Sequence, residues 1–222
     1  MELVALAAQV EAAGGKVVGS VRAPLNASDF SSFLLQAQAS KAQILGMANA
    51  GGDTVNTIKA ANEFGITKTM KLAGLLMFIN DIHSLGLKTT QGMYLTDSWY
   101  WNRDPEARAW SRKFFDKFKR MPSSIQAADY SVALNYLLAV KATGSDDADK
   151  VLAHMRKTKV NDVFAKGGYI RPDGRMVHDM YLMQVKSPDK STEPWDYYNI
   201  VETFKGEAAW TTRAESKCAL WK

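Results

Sequence analysis

The first hundred residues alternate between short apolar runs and segments whose apolar positions recur at helical spacing. Leu3, Leu6, Ala7, Val10 and Ala13 share one helical face, and Gly14–Gly15 end that helix. "KVVGSVR" (Lys16–Arg22) then reads as a strand. Asn26–Asp29 supplies capping residues for a helix that turns Phe30, Phe33, Leu34 and Ala37 inward. "ILGMA" is an apolar run of the buried parallel-strand kind, followed by a helix marked by Val55, Ile58 and Ala61. "KLAGLLMF" is another buried strand, "INDIHSLGL" a short helix and "GMYLTDSWYW" a fourth strand. Val17, Ile44 and Leu72 are 27 and 28 positions apart, room for a strand, a crossover helix and two loops. Such alternation predicts an α/β fold with a doubly wound parallel sheet.

The pattern changes after Asn102. Asp104–Pro105 opens a helix, aspartate as cap and proline in the first turn, with Trp110, Phe114 and Phe118 at i, i+4 and i+8 as core positions. "IQAADYSVALNYLLAVKATG" is a second long helix with Val132, Tyr136, Leu137 and Val140 on one face, and "DDADKVLAHMRKTKV" a third. "RPDGR" makes a turn, "HDMYLMQVK" alternates as a strand, residues 187–194 form a loop, and "WDYYNIVETF" adds a last strand. The expected division is 1–101, then a mostly helical part at 102–176, then 177–222 returning to the first part.

With 222 residues and ordinary apolar and charged content, the chain can build one large or two small domains. The net charge of +5 comes from scattered lysines and arginines without a basic aromatic stripe, which argues against nucleic acid. No uncharged apolar run reaches the roughly 18 residues a bilayer span needs. "MELVALAAQVEAAGG" lacks a basic start and reads as an amphipathic helix rather than a signal peptide. Cys218 is the single cysteine, and His83, His154 and His178 lack ligand spacing, so neither a disulfide nor a metal site is expected. No cofactor motif stands out.

The glycine pair in "NAGGDT" resembles a phosphate-binding turn only superficially. It fits neither G-x-x-x-x-G-K-[ST] nor G-x-G-x-x-G. Gly51 and Gly52 would free amides for an anion such as a carboxylate; the simpler reading is a strand-to-helix turn with Asp53 as N-cap. In a parallel sheet, Phe78 and Asn80 would share the carboxyl rim with Asn49–Asp53, where ligands of open α/β sheets bind. Phe78 would then either line a pocket or cap the core, with Asp81 as a capping residue. Trp99, Tyr100 and Trp101 cannot all face one core on an alternating strand. No serine lies in G-x-S-x-G and no paired carboxylates are readable, so no catalytic set emerges. "NAS" at 26–28 matches a glycosylation acceptor, but capping accounts for it better.

Together, "SSFLLQAQASKAQ", "YWNRDPEARAW" and "RPDGRMVHDMYL" strongly resemble the periplasmic solute-binding proteins of ABC transporters of the branched-chain amino acid (Leu/Ile/Val-binding) type, over essentially all 222 residues. The resemblance points to the subgroup associated with aromatic carboxylates and other non-leucine ligands, so the expected solute is a small organic acid of the aromatic carboxylate or branched-chain amino acid type. It implies a type I periplasmic binding fold: two α/β lobes joined by three crossovers that close on a solute, without enzymatic activity. It further implies that this chain begins inside the second lobe, at its first helix, without that lobe's opening strand, the N-terminal half of the first lobe or a signal peptide. Residues 1–101 and 177–222 would then belong to the second lobe and 102–176 to the first. The implied ligand contacts are Asn49, Ala50, Gly51, Gly52, Asp53, Met77, Phe78, Ile125 and Gln126, with Trp99 and Trp101 near the hinge or cleft. Phe78 stands about where amino-acid binders carry an acid for the ligand's ammonium, which favours an aromatic or aliphatic acid over an α-amino acid. The implied partners are a small-molecule solute and a membrane permease, and the implied location is the periplasm. Helices 105–157, left uncovered, would drive self-association or take a partner chain. The alternative is a ligand-sensing domain of the same fold in a receptor or regulator.

Overall fold

The computed structural model describes residues 2–221. Met1 and Lys222 lie outside the described residues, as do the side chains of residues 2–5, including the inward Leu3 expected of the first helix. That helix is α1 (Glu2–Ala12), and α2 (Ser31–Ala39) follows. Asp29 holds the start of α2 by accepting from the Ser31 amide at 2.8 Å and its hydroxyl at 2.5 Å. Phe30 and Leu34 are buried as expected.

The expected strand at Lys16–Arg22 does not form: the segment is irregular, with Val17, Val18 and Val21 exposed. Alternation makes a strand only where a ladder partner accepts it, and no strand pairs with these residues in the described structure. The next apolar runs do pair. β1 (Ile44–Met47) and β2 (Lys71–Gly74) run parallel, Ile44 opposite Lys71 and Met47 opposite Gly74. The connecting helix α3 (Gly51–Glu63) buries Ile58 and Ala61, one turn apart on its inner face. After β2 come α4 (Ile79–Leu85), α5 (Leu87–Thr90) and β3 (Tyr94–Asp97), which runs parallel to β2.

Helices α6 (Pro105–Phe118), α7 (Ser124–Thr143) and α8 (Ala148–Lys157) match the three expected. Asp104 caps α6, accepting from the Ala107 amide at 2.8 Å, with Pro105 in the first turn. Three short strands that periodicity does not reveal, β4 (Val160–Asn161), β5 (Lys166–Ile170) and β6 (Met176–Val177), make a small antiparallel sheet. Finally β7 (Met180–Val185) and β8 (Tyr198–Phe204) extend the main sheet, giving the order β1-β2-β3-β7-β8. The fold is α/β with a mixed, mostly parallel sheet.

The chain divides into two compact units, Met1–Thr96 with Met183–Asn199, and Asp97–Leu182 with Ile200–Lys222. The first centres on Ile58, Leu72, Ile82, Leu95 and Met183. In the second, Trp99, Ala107, Ala127, Val163 and Phe164 form a cluster with Trp110 packed against it. Asp162 organises this cluster, accepting from Ser131 Oγ at 2.6 Å, Asn135 Nδ2 at 2.7 Å and the Phe164 and Ala165 amides at 2.9 and 3.0 Å. Arg103 donates to the Val163 and Phe164 carbonyls and lies over the Trp99 ring.

Two core expectations fail in this unit. Phe118 is exposed, and Trp110 and Phe114 are only half-buried. α7 is turned inside out: it buries Ser124, Ala127, Ser131 and Ala139 and shows Val132, Tyr136 and Leu137 to solvent. Small residues let α7 approach the Phe164 loop closely, and the Ser131–Asp162 bond fixes that orientation.

Candidate functional site

The parallel register of β1 on β2 brings Asn49–Asp53 and Met77–Phe78 to one rim of the first unit, and the Leu75 amide donates to the Met47 carbonyl there at 3.0 Å. This is the carboxyl end of the strands, where open α/β sheets hold ligands. Gly51 enters α3 at φ +58, a left-handed conformation that a side chain would strain. The N-cap is Ala50, with no side-chain cap, so the helix starts two residues before Asp53. Asp53 is therefore not the N-cap. Its carboxylate instead accepts from the Asn26 amide at 3.0 Å and ties the 22–30 loop to α3.

Asn49 is committed inward. Its Nδ2 donates to Thr57 Oγ1 and its Oδ1 accepts from Thr54 Oγ1, each at 3.0 Å. With Thr54 and Thr57 buried, this locks the β1–α3 corner. What the corner offers is backbone: the first-turn amides of a helix with no side-chain cap, beside two exposed glycines. Such a terminus favours an anion.

On the β2 side, Met77 is buried, its side chain against Gly74. Phe78 is half-buried at the start of α4. Asp81 caps that helix, as expected, by accepting from the Phe78 amide at 2.9 Å, and burial raises its pKa. Asn80 adds a feature that sequence only hinted at: its Oδ1 is buried and has no hydrogen-bond partner among the described residues. An orphaned buried acceptor costs free energy until a donor meets it.

The remaining candidates lie in the second unit. Ile125 is exposed, whereas Gln126 is spent on the α7 capping box, its Oε1 accepting from the Ser123 amide at 2.8 Å and hydroxyl at 2.7 Å. Trp99 is buried, edge-on to Trp110 and stacked on Phe164. Trp101 is also buried, with the Arg108 and Arg112 guanidinium groups over its ring. Beside Ser98 lies a cavity of ≈ 260 Å³, lined by Ile125, Ala128, Val132, Phe164 and His178 among others. Next to it, burial pushes the Asp97 carboxyl up to about 7, against donors that include the Ser124 hydroxyl and the Ser98 amide. His178 is pushed down by burial.

A family model described as periplasmic binding protein matches residues 3–192. The chain belongs to the periplasmic binding protein family. A Burkholderia mallei periplasmic binding protein is 68% identical with a TM-score of 0.92, over 97% of this chain and 57% of its own. A Burkholderia xenovorans LB400 branched chain amino acid ABC transporter periplasmic ligand-binding protein is 43% identical with a TM-score of 0.89, over 99% of this chain and 59% of its own. An R. palustris ABC transporter solute binding protein in complex with 4-hydroxybenzoate shares the fold at 24% identity and a TM-score of 0.80, over 93% of this chain and 57% of its own. This periplasmic binding protein chain thus spans a little under three fifths of these relatives. No curated protein matches it. Among the described residues, no helix is long and apolar enough to cross a membrane.

Asn80 and the cavity beside Ser98 are the features that sequence reasoning did not single out as sites. Asn80 carried a signal, since it follows Phe78 by two residues on the same rim. The cavity carried none, because its walls come from α7, α8 and the small antiparallel sheet.

Proposed function

We propose that this chain is part of the extracytoplasmic solute-binding component of an ABC importer, a non-enzymatic protein that holds a small organic acid and delivers it to a membrane permease. The observation that carries this reading is the α3 terminus, open to a carboxylate, with Phe78 beside it on the same rim. Asn49–Asp53 hold the carboxylate through backbone amides. Phe78 bounds the apolar part of the solute, and Met77, whose side chain is buried, contributes backbone alone. Ile125, Gln126, Trp99 and Trp101 lie in the second unit and are not assigned to this rim. In this assignment residues 1–101 and 177–222 belong to the second lobe of the whole protein and 102–176 to the first.

Two observations favour an aromatic or aliphatic acid over an α-amino acid. Phe78 brings a ring and no charge, and one oxygen of the neighbouring Asp81 is already spent on the Phe78 amide. The R. palustris protein is in complex with 4-hydroxybenzoate, whereas the name of the B. xenovorans protein points to branched-chain amino acids. The deciding experiment is a thermal-shift screen of a chimera in which this chain replaces the matched part of the B. mallei protein. Aromatic carboxylates should raise its Tm. A shift with leucine alone would overturn the reading of Phe78, and a shift with no organic acid would overturn the solute-binding reading.

A further inference from the structure

We propose that His83, Trp195 and Tyr197 form a positioning set for the solute rim: the loop between β7 and β8 grips α4 through His83 and so fixes where Phe78 stands. The inference rests on the solute-binding reading above and adds to it residues that touch no solute themselves. All of them belong to the first unit.

α4 is seven residues long. A helix that short leaves most of its backbone groups without an intrahelical partner and depends on tertiary contacts. Two of those contacts are apolar, the buried side chains of Ile79 and Ile82. Apolar burial is non-directional: it fixes the depth of the helix and leaves it free to roll. Phe78 is the N-cap of α4, and its amide is tied to Asp81 in the first turn. Any roll of α4 therefore moves Phe78 at the rim.

The directional contact is His83, in the last turn of the helix. Its ring stacks on Trp195 with the centroids 3.8 Å apart and the planes within 6°. Its Nδ1 shares a 2.7 Å hydrogen bond with the Tyr197 hydroxyl. The Trp195 and Tyr197 rings lie 5.9 Å apart, so the three rings close on one another. A close parallel stack with a hydrogen bond at the ring edge sets both the tilt and the rotation of the imidazole.

The loop that presents these rings is built to hold them. Trp195 is buried and sits at φ +72. A bulky residue rarely takes a left-handed backbone, and the strain persists only where the surroundings over-determine it. Here they do. Asp196, itself buried, pairs with Lys186 Nζ at 2.7 Å and accepts from the Thr192 amide and hydroxyl, each at 3.0 Å. The Lys186 amide donates to the Tyr197 carbonyl at 2.8 Å and closes the loop. A turn alone would be better served by glycine at that position. What the tryptophan adds is the indole stacked on His83, and strain of this kind gathers where a site is preorganised. Without the grip, α4 spends part of its time with Phe78 out of place, and apparent affinity falls with the fraction of chains that have it in place.

The test is a double-mutant cycle in the chimera, with 4-hydroxybenzoate affinity measured by calorimetry. His83 is exposed, so His83→Ala should leave the circular dichroism intact. It should weaken binding about threefold to tenfold, the worth of one stacked ring pair. His83→Phe keeps a ring to stack on Trp195 and should recover most of that loss. In a Phe78→Ala background, His83→Ala should weaken binding by less than about twofold, because a residue that acts through Phe78 then has nothing to position. Equal losses in both backgrounds would overturn the inference, as would unchanged affinity of His83→Ala in a chimera that binds. A chimera that binds no 4-hydroxybenzoate would instead overturn the reading of the rim, and this inference with it.

Discussion

Asp97 ends β3 buried, and its burial has a consequence for stability. The folded carboxyl titrates at about 7, against 3.8 for the unperturbed group. Between those values the folded state holds a proton that the unfolded state has released. The Asp97 contribution to stability is therefore full below about pH 3.8, falls as pH rises towards 7 and levels off above it. The full span is roughly three pH units, or a ceiling of ~4 kcal/mol; between pH 4.5 and 7.5 about 3 kcal/mol should be lost. Asp97→Asn keeps the size and one acceptor oxygen for the Ser98 amide, now at 2.7 Å, and cannot ionise. Urea unfolding of both proteins, followed by circular dichroism across that range, isolates the effect, because every other titrating group is shared. The stability of Asp97→Asn relative to the parent should rise by about 3 kcal/mol from pH 4.5 to 7.5. Parallel pH profiles for the two proteins would refute the reasoning.

His178 acts in the opposite sense: burial lowers its pKa, so its contribution is present above about 6.5 and lost as pH falls towards the folded value. His178→Gln should flatten the acid limb of the urea profile. Asp162→Ala should cost roughly 3–6 kcal/mol, since it strips an acceptor from two buried amides and from Ser131, and chemical denaturation should show the second unit unfolding early. Gly51→Ala should lower stability by about 1 kcal/mol, because φ +58 strains a side chain there, whereas Gly52→Ala, with open space at its Cβ, should cost less; thermal melts of the pair check this. Phe78→Asp should shift the chimera's thermal response from aromatic acids towards amino acids.

The α/β layout was legible because buried parallel strands announce themselves by composition, and the β1, β2 and β3 runs stand between helical segments. Asp104–Pro105 and Asp81 were legible because a cap is a local event. Lys16–Arg22 misled because a strand also needs a neighbour, which no local pattern encodes. α7 misled for a related reason. Its large apolar residues mark one face, yet the face turned inward carries Ser124, Ala127, Ser131 and Ala139; the Ser131–Asp162 bond, across 31 positions, fixes that orientation. At the rim, residue types marked the place but not the roles. Asn49 and Asp53 look like ligands in sequence, yet both side chains are held by the protein itself, so the proposed solute contact falls to the glycine amides.

The most direct test of the central claim is a ¹⁵N-edited NMR titration of the chimera with 4-hydroxybenzoate. The amide signals of Gly51, Gly52 and Asp53 should move together and saturate with the bound fraction, and the Phe78 ring protons should shift with them. Saturable binding that leaves those three amides in place would contradict the account.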